Sequence, residues 1–579
     1  MIATAGHVDH GKSTLIRHLT GTDPDRWDEE RRRGLTIDLG FAEMPLDSGG
    51  TVAFVDVPGH ARFVKNMVAG VGSVGACLFV VAADEGWKPQ SEEHLRILEL
   101  MGVREGIVVL SKIDRVDADR IEAARLEVID HLAGTGLENA SILAVDALSG
   151  RGMHELRAAI DHVVLALGEP PDGGRPRLWI DRSFAISGAG TVVTGTLTGG
   201  RLEVGDKMSV VTGDGVLTTR IRGLQSFGRT LTAAGPGTRI AVNLGGLRHS
   251  DLQRGDALVD IARWHLTRRV DASLEVLASA SRAASRRAAF AVHIGADELA
   301  VRVELLLGAK AIEPAATGGV RMSLPRALPL IPGDRYVLRD LSQGETIGGG
   351  EVLDVDPRLS VSRARPDRSV ERVIQENGWI RVDELERLTG EHRAARLGDG
   401  VADPAWEQAA RARLSDRIDA AGADGLDVAV LDDEERVLLP KLQDAHTAHG
   451  RIRRTESATL AASLARQILS ALDASPFAPP SPDELPPHPS ILRDLKQQGR
   501  VVERDGIVFS SNAVEQAAHL VAELLTSSPS GVSVAEIRAA MGTTRKWAMP
   551  LVAILDSQGV TRRKDDLRVA GPRLPARRE

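Results

Sequence analysis

Cysteine is almost missing from this chain: there is one, Cys77, in 579 residues. A lone thiol cannot build a disulfide framework, which points to a reducing compartment, and its place in the apolar run 76–83 marks it as a buried small residue. Also missing is any apolar stretch of the ~20 residues needed to span a bilayer, so no membrane partner is expected. No basic segment with a cleavable apolar stretch opens the chain. Met1–Gly6 leads straight into a glycine-rich loop, and the expected location is the cytoplasm. Neither sign of charge dominates strongly. The formal net charge of −8 speaks weakly against nucleic-acid binding, but net charge averages over domains. The C-terminal end is basic, with Arg545, Lys546, Arg562, Arg563, Lys564, Arg568, Arg573, Arg577 and Arg578. Composition alone leaves that end as either a solubilising tail or a binding surface.

The length is too great for one core; at roughly 100–200 residues per domain, four or five domains are expected. Residues 1–168 alternate buried-strand runs (52–57, 76–83, 106–110) with amphipathic helical stretches (91–101, 120–133), the pattern of a parallel sheet covered by helices. Residues 168–176 are rich in Gly and Pro and read as a linker. From 177 to 356, short β-rich runs alternate with glycine-containing turns, the signature of small barrels. Two fit, over 175–265 and 266–357. After Pro357 the pattern turns mostly helical, with hairpin signals such as 500–508. Helix, helix, then hairpin reads as a winged helix, and we expect such units at 366–440, 441–512 and 513–575, with the Pro-rich stretch 475–489 as a connector. The stretch 440–512 is too short for two full units, so three units, with at most a remnant of a fourth, are expected. The fold class is thus multidomain: an α/β P-loop domain, two β-barrels and a tandem winged-helix (α+β) arm.

The chemistry is concentrated near the start. Gly6-His7-Val8-Asp9-His10-Gly11-Lys12-Ser13 matches the phosphate-loop pattern G-x-x-x-x-G-K-[ST], lying between a short apolar start and an apolar helical run that Thr14 enters. Glycines let backbone N–H groups turn toward phosphate oxygens, and the helix N-terminus adds its dipole. Lys12 suits the β- and γ-phosphates and Ser13 a Mg²⁺ ion. Asp56-Val57-Pro58-Gly59-His60 ends a strand, which sets Asp56 near the metal, through water, and Gly59 near the γ-phosphate. Thr36 offers a hydroxyl to the same ion. Ser111-Lys112-Ile113-Asp114 supplies a carboxylate, Asp114, that accepts two hydrogen bonds from guanine and none of that pattern from adenine; the Lys112 stem packs along the base. Asp146, Ala147 and Leu148 would close over the base edge with backbone N–H groups toward O6. GTP and GDP are therefore the expected nucleotides. His60 is a candidate for positioning the attacking water, or else a surface histidine in a loop. Ser111 replaces the usual Asn and Asp146 the usual Ser; both changes spare direct guanine contacts but are expected to weaken hydrogen bonds between loops.

The phosphate loop together with Asp56–His60 resembles the translational GTPases, elongation factor Tu among them. Thr20–Arg26, Glu29-Glu30 and Arg33–Phe41, with a short span from Lys12 to Gly34, resemble the selenocysteine-specific elongation factors more narrowly. Residues 180–184, 188–196 and 254–256 extend the resemblance into the barrels, and it continues into the arm. It implies a GTPase that binds selenocysteinyl-tRNA and delivers it to the ribosome at UGA codons marked by an mRNA hairpin (SECIS), with ribosome-stimulated hydrolysis, acting as a monomer. It also implies a pocket on the first barrel at Asp181, Arg182 and Arg239. A selenolate is anionic at neutral pH, so a pocket that prefers it to serine should be cationic. The alternative is that both arginines are surface ion-pair partners of the barrel. In the arm, 532–541, 542–546, 547–558 and 560–569 read as helix, turn, recognition helix and wing. Arg545, Lys546, Arg562 and Arg563 are the residues expected on the mRNA hairpin. Two rivals stand beside this reading: a general aminoacyl-tRNA carrier or initiation factor, which would end near 356, and a GTP-switched nucleic-acid regulator without tRNA cargo.

Overall fold

The computed structural model describes residues 1–24, 36, 38–59, 63–188, 190–286 and 288–576. It forms two compact units, Met1–Ala394 and Ala395–Glu579.

The first unit begins with a six-stranded sheet in the order Gly40–Pro45, Thr51–Asp56, Ile2–Ala5, Ala76–Ala82, Glu105–Ser111 and Ser141–Ala144. Only the Gly40–Pro45 edge is antiparallel. The central strand Ala76–Ala82 is buried along its whole length, as a parallel strand covered on both faces must be. Its side chains alternate between two cores: Cys77, Phe79 and Val81 join one, and Ala76, Leu78 and Val80 the other. Burial pushes the Cys77 thiol up to about 12, so it is an inert core group. Helices Pro89–Leu100 and Ala118–Leu132 cover one side. The phosphate loop follows Ile2–Ala5, at the carboxyl end of the sheet where open α/β sheets bind ligands.

Two barrels follow. In the first, Lys207–Thr212, Ala257–Val259, Arg177–Trp179, Gly190–Thr198, Arg239–Gly245 and Gly215–Ser226 pair in turn, and the last pairs back with the first. The second closes through Leu266–Val276, Thr317–Pro329, Asp297–Leu305, Phe290–Ile294, Arg335–Asp340 and Glu345–Asp354. The barrels lock together through polar forks and one aromatic plate. Arg177 grips both carboxylate oxygens of Asp334 at 2.6 and 2.7 Å, and Arg326 donates to Asp297 and to the Gly255 carbonyl. The Trp179 indole lies on Gly295, where an added Cβ would fall 2.4 Å from the ring and φ is +59°. Gly295→Val should therefore cost about 1–3 kcal/mol through overpacking and backbone strain. A lowered denaturant midpoint read by tryptophan fluorescence checks this.

Helices Val370–Asn377 and Val382–Thr389 belong to the first unit. Arg175, stacked on Trp264, donates to the carbonyls of Glu386 and Arg387 at 3.0 and 3.1 Å, satisfying the end of the second helix. The start of the expected arm is thus built into the barrel body.

Among the described residues the second unit holds three hairpins, each preceded by helices: Ala445–Ala448 with Arg451–Arg454, Val501–Arg504 with Ile507–Ser510, and Thr561–Lys564 with Leu567–Ala570. The border expected at 440/441 falls between parts of one sheet, because Leu426–Asp427 pairs with Arg451–Arg454. The border expected at 512/513 falls inside helix Ser511–Ser527, whose cap Ser510 receives the Ala513 N–H. Within the Pro-rich stretch, Pro482 and Pro489 each open a short helical turn or helix, where a missing N–H costs nothing. Among the described residues no helix is long and apolar enough to cross a membrane.

Candidate functional site

The phosphate loop is shaped by what surrounds it. At Gly6, φ is +123° and a Cβ would lie 2.1 Å from the Val80 carbonyl oxygen, so only glycine fits. The Gly6 N–H donates to His94 Nδ1 at 3.1 Å, and the Val8 N–H to the Gln90 side-chain oxygen at 3.2 Å. Burial holds His94 down to about 3 and His10 to about 4, so both rings are neutral at working pH. Burial also lowers His7. The positive charge in the loop is therefore that of Lys12, whose Nζ donates to the carbonyls of Gly6 and His7 at 3.0 and 2.8 Å. Gly59 comes so close that a Cβ would meet Lys12 Nζ at 2.6 Å and the Val8 nitrogen at 2.7 Å. The segments expected on either side of a γ-phosphate are thus brought together.

The three residues expected at a metal ion also converge. Ser13 Oγ donates to Asp56 Oδ2 at 2.6 Å and lies 2.9 Å from Thr36 Oγ1. Thr4 Oγ1 donates to Asp56 Oδ1 at 2.7 Å and receives the Val57 N–H, which fixes the carboxylate's orientation. Two hydroxyls and one carboxylate form an all-oxygen set that fits a hard ion such as Mg²⁺, which keeps several waters of its own. Thr4 gave no motif signal; it is one of four buried residues in the first strand.

At the base-binding end, Lys112 adopts a left-handed φ of 57°. Its Nζ lies 3.3 Å from Glu85, and Asp114 is exposed in the turn that follows. The expectation that Ser111 would weaken the contacts between loops is corrected: its hydroxyl donates to the His10 carbonyl at 2.6 Å, tying the base loop to the phosphate loop. Asp146 likewise ties its own loop, accepting the N–H groups of Leu148 and Ser149 at 3.0 and 3.2 Å. The N–H expected from Leu148 toward the base is therefore occupied, which leaves that of Ala147. Ser111→Ala should weaken GTP and GDP equally, by roughly fivefold for one lost hydrogen bond of about 1 kcal/mol. Stopped-flow titration with a fluorescent guanine nucleotide measures it. His60 lies outside the described residues.

Asp181, Arg182 and Arg239 come together beside the first barrel. Arg239 forks onto both oxygens of Asp181, which also accepts the Thr194 hydroxyl at 2.7 Å. The other partner of the Arg239 guanidinium is the Phe41 ring, 3.7 Å from its centroid. Arg182 reaches out of the barrel to Asp38 at 2.9 Å and to the Leu39 carbonyl at 2.6 Å. Neither arginine is thus a simple surface partner within the barrel: one is nearly buried, and the other holds the segment after Thr36. With Phe41, Phe227 and Gln225 they line a cleft of about 460 Å³. The sequence reading missed Phe41 and Thr194 as members of this set.

At the far end of the chain, Arg545 and Lys546 open helix Arg545–Ser557, both exposed, with the Lys546 ammonium 5.2 Å from the Trp547 ring. Arg562 and Arg563 are neighbours on one strand and so point to opposite faces. Arg563 donates to the Asp565 carbonyl at 3.0 Å. The two cannot serve one flat contact together.

The family model described as the elongation factor Tu GTP binding domain matches residues 1–166. The selenocysteine-specific elongation factor beta-barrel domain matches 271–359, and the elongation factor SelB winged helix matches 523–570. A selenocysteine-specific elongation factor of Desulfomicrobium baculatum is 39% identical over 354 residues, covering 61% of this chain and 55% of the relative. The chain thus spans little more than half the length of that curated relative. Elongation factor Tu 2 of Streptomyces avermitilis is 32% identical over 61% of this chain and 96% of its own length. The crystal structure of a bacterial selenocysteine-specific elongation factor superposes with a TM-score of 0.73 at 26% identity, covering 98% of this chain and 99% of that one. The chain belongs to the translational GTPases related to elongation factor Tu, and its second barrel and terminal winged helix are similar to those of selenocysteine-specific elongation factors.

Proposed function

We propose that this chain binds and hydrolyses GTP and carries selenocysteinyl-tRNA to the ribosome at UGA codons marked by an mRNA hairpin. What supports the nucleotide half is the convergence of Gly59 on Lys12 and of Thr36 and Asp56 on Ser13, around one phosphate loop. Mg²⁺ would be held by the Ser13 and Thr36 hydroxyls and, through water, by Asp56, and would supply charge neutralisation at the phosphates. Asp114, with Lys112 alongside, selects guanine; Asp146 and Ala147 close the base edge; His60 orients the attacking water. The protein works in the cytoplasm as a monomer.

The cargo half rests on one observation: Arg239 and Arg182 stand at a cleft that includes strand Gly40–Pro45, which follows Thr36. A guanidinium has five donors in a fork, and Asp181 engages only one side of that of Arg239. The remaining N–H groups suit a selenolate, whereas a serine hydroxyl brings no charge to meet them. Pull-down of charged tRNA by the full chain with a non-hydrolysable GTP analogue tests this. Selenocysteinyl-tRNA should be retained and seryl-tRNA released; equal retention would sink the proposal.

The hairpin half rests on the exposed pair that opens helix Arg545–Ser557. Arg545→Ala with Lys546→Ala should lower affinity for a UGA-adjacent hairpin at least tenfold, about 1.4 kcal/mol. A gel-shift titration that shows no change removes both residues from the contact.

A further inference from the structure

A cavity in the second unit is lined by residues that all precede the terminal winged helix. It measures about 350 Å³ and opens between the hairpin Ala445–Ala448/Arg451–Arg454, helix Thr455–Ala474 and helix Pro489–Gln497. That size is near the lower end of small-ligand pockets, roughly 300–1,000 Å³. Its inner wall is aliphatic, with Ile491 and Leu495 among the buried residues there.

The cations around it divide into two sets. Arg453 is buried and satisfied, donating to Asp494 at 2.8 Å and to two carbonyls. That pair neutralises the single acid in the lining. Arg466, Arg500 and His449 also line the cavity, are exposed, and have no side-chain hydrogen bond or ion pair among the described residues. By contrast, Arg451 and Arg454 on the same hairpin, although outside the lining, are committed to carboxylates or carbonyls. Within the lining, Arg453 and His446 are thus committed to the fold, His446 to the Thr455 hydroxyl at 2.8 Å, while Arg466, Arg500 and His449 are not.

An aliphatic wall with unpaired guanidinium groups at its edge fits a ligand with a flat apolar body and an attached phosphate. We propose that this cavity takes one unstacked nucleotide of a single-stranded RNA segment, with Arg466 and Arg500 on the flanking phosphates and the base against the aliphatic wall. It is a contact separate from the terminal one and does not depend on the proposal for Arg545 and Lys546.

The test uses the full chain carrying Arg545→Ala and Lys546→Ala, so that terminal binding is suppressed, with a fluorescein-labelled eight-nucleotide oligouridylate as probe. Adding Arg466→Ser and Arg500→Ser should weaken binding about tenfold or more. It should also flatten the dependence of log affinity on log salt by about 1.4, two phosphate contacts at roughly 0.7 each. Ala462→Tyr, which fills the cavity and removes no charge, should weaken the same probe but not an abasic strand of equal length. Arg466→Ser with Arg500→Ser in the otherwise native chain should leave affinity for the UGA-adjacent hairpin unchanged, which separates this contact from the terminal one. Unchanged oligouridylate affinity and salt slope would overturn the proposal. So would displacement of the probe by micromolar uridine monophosphate, which would mark a free-nucleotide site instead.

Discussion

Lys12→Ala is expected to reduce affinity for GTP and GDP by roughly 30- to 5,000-fold, about 2–5 kcal/mol, and to leave the barrels and arm folded. The magnitude follows from the geometry around the ammonium group. It is buried at the mouth of the loop, held by the carbonyls of Gly6 and His7, with the Gly59 backbone close against it. No other cation stands in the loop, because burial keeps His10 and His94 neutral. With Lys12 gone, a bound triphosphate would keep the backbone N–H groups and the metal ion but lose its one fixed positive side chain. Calorimetric titration with Mg·GTP measures the loss, and far-UV circular dichroism checks the fold. A variant that binds GTP within threefold of wild type would show that backbone donors alone carry the site.

The second large effect is on cargo choice. Arg239→Lys is expected to leave GTP affinity unchanged while lowering the preference for selenocysteinyl- over seryl-tRNA by tenfold or more. Lysine keeps the charge, so a purely Coulombic pocket would tolerate it. The structure gives reasons why it should not: arginine forks onto both oxygens of Asp181 while its flat face covers Phe41. A point-charge ammonium can match neither the fork nor the stack. Because Phe41 lies on strand Gly40–Pro45, directly after the segment that Arg182 holds, a loosened Arg239 also loosens the link between nucleotide and cargo sites. Filter binding of both tRNAs, with the GTP analogue and with GDP, separates the two outcomes. Retained selectivity with lysine would mean that charge alone suffices.

Much of the nucleotide site is legible in the chain because its parts are local. A glycine-rich loop between a strand and a helix can be recognised from spacing alone, and Gly6 and Gly59 stand where backbone must pass backbone. The closed strand runs and the Gly-rich linker were legible for the same reason, since period and turn chemistry act over a few residues. Ser111 was misjudged because its partner, the His10 carbonyl, is 101 residues away. Asp146 makes its side-chain hydrogen bonds to the next two or three residues of its own loop, a turn that depends on how the loop closes. In the arm, strand alternation separates Arg562 from Arg563, a distinction that composition hides.

The sequence by itself determined the kind of fold and loop: a phosphate loop with one lysine in a GTP-binding domain, and two barrels before a helical arm. Those follow from short-range spacing, where the covalent chain already fixes which groups lie near each other. The tertiary structure decided which charges are free. Arg239 and Arg453 are paired and nearly buried, while Arg466 and Arg500 are exposed and have no side-chain partner among the described residues. Nothing in the sequence distinguishes these arginines, because whether a guanidinium is spent on the fold or left for a ligand depends on which carboxylates distant segments bring within reach.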